Sequence, residues 1–156
     1  MERIASFTVD HNVLVPGLYL SRRDGSVVTF DLRFKKPNTG DLLTNAEMHS
    51  VEHIIATLLR NSDKKDAVVY FGPMGCQTGF YFLFDGAQLT DGEAIRLLQQ
   101  VFAAGAAYDG DMPGRSAAEC GNYRNLDTAL ARACCRYYAA VIADWNEEKL
   151  AYPTGK

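Results

Sequence analysis

The sequence contains no apolar run that approaches the roughly 20 residues needed for a membrane-spanning helix. The N-terminus, Met1-Glu2-Arg3-Ile4, also lacks the charged region followed by an apolar stretch that marks a secretory signal peptide. Both absences favour a cytoplasmic protein with no membrane partner.

Clusters of positive charge are missing as well. No group of Lys or Arg is larger than Arg22-Arg23 or Lys35-Lys36, and the formal net charge is -3 at pH 7. Proteins that bind nucleic acids usually carry a basic patch or stripe that contacts the phosphates. The sequence therefore argues against a nucleic-acid partner.

Internal repeats, low-complexity tracts and Pro/Ser-rich linkers are also absent, which for 156 residues predicts a single domain over residues 1–156. The four cysteines are not accompanied by an export signal. In that setting cysteines are usually free thiols, metal ligands or catalytic groups, and disulfides are rare.

Periodicity and turn residues predict strands and three helices without strict βαβ alternation, which indicates an α+β fold. The first helix is expected to start at Thr44, because Thr44 and Glu47 form a capping-box pattern, and to end near Asn61. The other predicted elements are strands over residues 13–20, 27–34, 67–71 and 80–84 and helices over residues 91–107 and 126–145.

The predicted first helix carries His49 and His53, which lie one turn apart on the same face, so two imidazoles can converge on one cation. Glu52 lies beside that face and can accept a proton without being a ligand. The helix also has an apolar stripe that points away from the histidines and is expected to face the core: Val51, Ile54, Ile55 and Leu58.

A catalytic zinc-like site generally has three protein ligands and one open position. Cys134 lies on the apolar stripe of the last helix and is expected to be a buried core thiol. Cys76 and Cys120 lie in loops next to glycines, and their spacing does not distinguish a ligand from a reactive thiol. His11 and the carboxylates also remain candidates for the third ligand.

Five blocks in this sequence resemble the S-ribosylhomocysteine lyase family, the autoinducer-2 synthases. They occur in the family's order across nearly the whole chain, at residues 10–12, 30–38, 49–53, 73–79 and 119–122. The resemblance implies an α+β fold in which an antiparallel sheet packs against helices. It also implies a homodimer with active sites at the subunit interface.

The resemblance further implies a role for individual residues. One divalent metal per subunit, expected to be Fe(II) with Zn or Co possible, is bound by His49, His53 and Cys120. Glu52 and Cys76 act as the acid/base pair. The residues that hold the substrate, S-ribosylhomocysteine, are Ser6, His11 and Arg33.

In the family's reaction the sugar carbonyl migrates along the ribose, and β-elimination then releases homocysteine. This chain departs from the family at Tyr70-Phe71-Gly72, where an acidic residue and a Ser are common. Two other functions also fit the histidine motif: a metallopeptidase-like hydrolase, and a metal-binding module that is not an enzyme.

Overall fold

Four segments with alternating apolar residues form an antiparallel sheet in the computed structural model, which describes residues 1–155. Their order in the sheet is β1-β2-β4-β3. The strands are β1 (Gly17–Asp24), β2 (Val27–Arg33), β3 (Val68–Pro73) and β4 (Gly79–Asp85). The antiparallel sheet predicted from the resemblance is thus confirmed.

The two faces of the sheet differ in chemistry because side chains alternate along each strand. On one face Phe30 lies opposite Phe82 and Leu32 opposite Phe80, and all four are fully buried in the core. The other face of β2 carries Asp31, among other polar residues, opposite Tyr81. The sheet therefore has an apolar face that packs in the core and a polar face whose side chains can bind or react with a ligand.

Three helices contribute to the core against the apolar face. They are α1 (Asn45–Arg60), α2 (Asp91–Ala106) and α3 (Thr128–Val141). Phe102 of α2 and Tyr138 of α3 both contact the ring of Phe34, just after β2. The predicted capping box at the start of α1 is present, since Thr44 and Glu47 each accept a backbone N–H of the other.

The predicted bounds of two elements, the first strand and the last helix, were wrong. The first strand spans Gly17–Asp24, not residues 13–20, because the hairpin ladder with β2 extends through polar residues to a turn at Gly25, where φ is +60°. The last helix ends at Val141, and Trp145 lies beyond it. There the Gln99 side chain donates to the carbonyl of Ile142, so the helix end is capped from α2.

The apolar stripe of α1 is close to the prediction. Val51, Ile54 and Ile55 are buried, but Leu59 is buried where Leu58 is only half-buried. Within residues 1–155 no helix is both long and apolar enough to cross a bilayer.

Candidate metal centre and thiol pocket

His49 and His53 lie next to each other on α1, with ring centroids 4.6 Å apart and planes at 90°. Cys120 reaches them from the loop before α3, and its Sγ is 3.3 Å from Nε2 of His49. One donor atom from each of the three residues lies within 4.8 Å of the others, and all three side chains are half-buried. The helix thus supplies two donors and a distant loop the third.

The second nitrogen of each imidazole faces an oxygen. Nδ1 of His49 lies 2.6 Å from Oδ1 of Asn125, and Nδ1 of His53 lies 2.8 Å from the carbonyl oxygen of Pro113. Asn125 is itself oriented, because its Nδ2 donates to Oδ1 of Asn45. These acceptors favour the tautomers with hydrogen on Nδ1, which leaves both Nε2 atoms free to bind a metal.

The loops around this group are shaped to fit it. Gly114 has φ of +72°, and a Cβ at this position would lie 3.0 Å from Nδ1 of His53. A side chain there would therefore be strained and crowded. On the Cys120 side, the backbone N–H of Asn122 donates to Sγ at 3.4 Å, which helps to fix the position of the sulfur.

The donor set fits a catalytic transition-metal site. Two neutral imidazoles and one thiolate suit Zn or Fe(II), and three protein donors leave a coordination position for substrate. Glu52 lies on α1 one residue before His53 and is half-buried.

A second group of polar side chains lies on the polar face of the sheet. Arg33 is only 3% exposed and donates from Nε and Nη2 to the two carboxylate oxygens of Asp31, at 3.1 and 2.6 Å. Tyr152 donates to the same carboxylate from near the end of the chain. Burial acts to lower the pKa of Arg33, but the charge of Asp31 and its hydrogen bonds, with Cys76 and Tyr152 adding to them, together outweigh burial, and the pKa is raised. The guanidinium therefore stays charged.

Cys76 shares a cavity of about 290 Å³ with Ser6, His11 and Arg33. Nδ1 of His11 lies 2.9 Å from the carbonyl oxygen of Val9, so its Nε2 is available in the neutral ring. The other residues that line the cavity are Phe7, Pro73, Met74, Gly75 and Tyr81. Three residues predicted to hold the substrate are thus brought to the predicted reactive thiol.

The turn that carries Cys76 is fixed to the segment before α1. Gln77 has a positive φ of 63°, its carbonyl accepts from the backbone N–H of Leu43, and its side chain donates to the Leu43 carbonyl.

Tyr70 and Gly72, which depart from the family pattern, fit each other. The Tyr70 ring lies over Gly72, and a Cβ at position 72 would collide with it. A larger residue at position 72 would require Tyr70 to move.

The structure therefore forms two groups. His49 and His53 on α1 come together with Cys120 from the loop before α3, but none of the three, nor Glu52, lines the cavity of Cys76. Arg33, which taken alone is more typical of a surface charge, is buried. Several residues that hold these groups in place were not predicted from the sequence: Asp31, Asn45, Thr78, Asn125 and Tyr152.

Comparisons with known proteins agree with one another. The sequence model of the S-ribosylhomocysteinase (LuxS) family matches residues 4–149. Proteins named S-ribosylhomocysteine lyase are similar to the chain over nearly all of its length and theirs. That of Desulfotalea psychrophila is 46% identical over 99% of this chain and 100% of its own. The protein of Clostridium beijerinckii is 42% identical over 98% and 99%. The protein of Borreliella burgdorferi is 40% identical over 98% and 100%.

Proposed function

Because this chain belongs to the S-ribosylhomocysteinase (LuxS) family, we propose that it is an S-ribosylhomocysteine lyase. Its products are homocysteine and 4,5-dihydroxy-2,3-pentanedione, the precursor of the quorum-sensing signal autoinducer-2. The observation that carries the proposal is the group of His49, His53 and Cys120, three donors with an open position. The cytoplasmic location and the absence of nucleic-acid and membrane partners remain predictions.

We propose one divalent metal per subunit at this group, with Fe(II) expected and Zn or Co possible. The two Nε2 atoms and the Cys120 thiolate would bind it, held by Asn125, Pro113 and the N–H of Asn122. When bound, such an ion supplies Lewis acidity to the carbonyl oxygen of the sugar, which makes the neighbouring C–H groups more acidic.

The side chains of the protein move the protons. Glu52 and Cys76 exchange protons with adjacent carbons and oxygens of the sugar until the carbonyl lies β to the sulfur-bearing carbon, so that the carbon between them can lose a proton. The final β-elimination breaks that bond and releases homocysteine. The cavity beside Cys76 holds the substrate through Ser6, His11 and Arg33, which offer hydroxyl, imidazole and guanidinium groups.

We further propose a homodimer with active sites at the interface. In support, the histidine group is only half-buried, and two apolar side chains of the N-terminal segment are exposed: Ile4 at 54%, and Phe7, which lines the cavity of Cys76, at 63%. A second copy would cover such apolar surface. Sedimentation of wild type and of Phe7→Asp tests this, and a wild-type monomer would contradict it.

The main experiment incubates anaerobically prepared, metal-loaded protein with S-ribosylhomocysteine and titrates the released thiol. We expect thiol release by the wild type, and loss of turnover with the metal retained in Glu52→Gln and Cys76→Ala. No thiol release by the metal-loaded wild type would contradict the lyase. Loss of metal in Cys76→Ala would mean that the roles of Cys76 and Cys120 are reversed.

A further inference from the structure

Thr78 links the buried ion pair to the thiol of Cys76. Its side chain is 3% exposed, and Oγ1 lies 2.7 Å from Nη1 of Arg33 and 3.1 Å from Sγ of Cys76. The direct approach of Arg33 Nη1 to Sγ is longer, at 4.0 Å. The shorter contacts between the guanidinium and the sulfur therefore pass through the Thr78 hydroxyl.

The direction of these hydrogen bonds follows from the hydrogens available. A guanidinium only donates, so Oγ1 of Thr78 must accept from Arg33. The single hydroxyl hydrogen of Thr78 then remains for the sulfur of Cys76. A protonated Cys76 can donate or accept in this contact, but a thiolate can only accept, and a hydrogen bond to a charged acceptor is stronger than a neutral one.

We propose that Thr78 is a positioning residue that donates its hydroxyl hydrogen to Cys76 and holds the thiolate in place for proton transfer. This inference rests on the proposed lyase function, in which Cys76 carries protons. Arg33 orients the hydroxyl, Asp31 accepts from Arg33 and fixes it, and Tyr152 donates to Asp31 in turn. A chain of hydrogen bonds thus runs from the polar face of the sheet to the thiol of an exposed residue.

Other charged or titratable groups also face the cavity around Cys76. They are Arg33 from β2, His11 from the N-terminal segment and Tyr81 from β4, with Asp31 behind Arg33. Burial raises the pKa of Tyr81, and the charge of Asp31 adds to this, so Tyr81 is a neutral phenol near pH 7. A variant at Thr78 leaves all four groups in the chain, which isolates the hydroxyl.

The test is the pH dependence of alkylation of Cys76 by iodoacetamide in the metal-loaded protein, measured on the Cys76 peptide by mass spectrometry. Thr78→Val keeps the shape of the side chain without the hydroxyl, and Thr78→Ser keeps the hydroxyl. The backbone of Thr78 stays anchored, because its carbonyl accepts from the N–H groups of Phe34 and Lys35. Thr29→Val is the matched control, since Thr29 is buried on the same face but does not line this cavity.

We expect Thr78→Val to move the midpoint of the profile upward by about one pH unit, which slows alkylation about tenfold at pH values well below both midpoints. Thr78→Ser and Thr29→Val should follow the wild type. An unshifted Thr78→Val profile would overturn the inference, and so would an equal shift in Thr78→Ser. If Thr78→Val does not fold, Thr78→Ala removes the same hydroxyl without adding bulk and is expected to shift equally.

Turnover separates this inference from the lyase itself. In Thr78→Val we expect kcat to fall while KM stays near the wild-type value, because the hydroxyl acts on the thiol and not on the substrate. If the wild type releases no homocysteine, the lyase proposal fails. The alkylation profiles then still decide whether Thr78 donates to Cys76.

Discussion

The candidate metal group, formed by His49, His53 and Cys120, and the thiol group, formed by Cys76 with Arg33 and Asp31 behind it, differ in how they are buried. The metal group has three half-buried side chains, and neutral oxygens hold its two imidazoles. In the thiol group the reactive atom is on an exposed residue, while the charges behind it are almost completely buried, with Asp31 1% and Arg33 3% exposed. The difference suggests that changes in the first group affect the metal, and that changes behind the second affect the fold.

The largest expected effect is in the metal group. Cys120→Ala removes one of three donors, so we expect the protein to lose its metal on dialysis while its circular dichroism stays native. Elemental analysis measures the metal. Cys134→Ala, a change of the same kind in the core, serves as control and should keep the metal. Retention of metal by Cys120→Ala would break the comparison, because the third ligand would then lie elsewhere.

On the thiol side, Asp31→Asn should lower the free energy of unfolding by about 3–5 kcal/mol, because it leaves the buried Arg33 without its charge partner. Denaturant titration measures this. In the control Asp24→Asn, an exposed pair with Arg22 is broken, and we expect no measurable loss. Equal effects in the two variants would mean that burial of the ion pair does not matter to stability.

A smaller effect is expected from the residue that orients His49. Asn125→Ala removes the acceptor of Nδ1, so we expect metal affinity to fall about 10–100-fold with little change in stability. Competition with a chelator measures the affinity. Asn122→Ala is the matched control, because Asn122 contacts Cys120 through its backbone N–H. Equal losses in both variants would contradict an orienting role for the Asn125 side chain.

The smallest effect concerns the two cysteines that belong to neither group. Burial raises the pKa of both Cys134 and Cys135 to about 12, from 9.0 when exposed. A pKa that is higher in the folded chain stabilises the fold below pH 9, and this stability is lost as the pH rises toward 12. Thermal unfolding between pH 9 and 12 should therefore be less pH-dependent in Cys134→Ala than in wild type. An unchanged pH dependence in Cys134→Ala would contradict this reading.

The sequence was most informative where spacing along one element decides the geometry. Two histidines four residues apart must meet if the segment is helical, and the Thr44 capping box made that helix predictable. The partners of the two histidines could not be predicted, because Asn125 contacts His49 although the two residues are 76 positions apart in the sequence. No local pattern encodes such a contact.

The thiol side was harder to predict for the same reason. Strand alternation places Asp31 and Arg33 on one face, but it does not tell whether that face is covered. Segments near the two ends of the chain cover this face of the sheet. His11 lines the cavity beside Arg33, and Tyr152 donates a hydrogen bond to Asp31. The resemblance to the family named Arg33, yet the burial of its charge became clear only from the fold.

The contact between Tyr152 and Asp31 also has a consequence for the order of events during synthesis. The two residues are 121 positions apart, and the C-terminal segment also receives the N–H of Leu20 at the carbonyl of Leu150. Asp31 and Arg33 leave the ribosome 121 and 119 residues ahead of Tyr152, so the charged pair can form before its last hydrogen-bond donor has been made. A chain that stops before Tyr152 therefore leaves the buried Asp31 carboxylate with the two donors of Arg33 and without the hydroxyl of Tyr152.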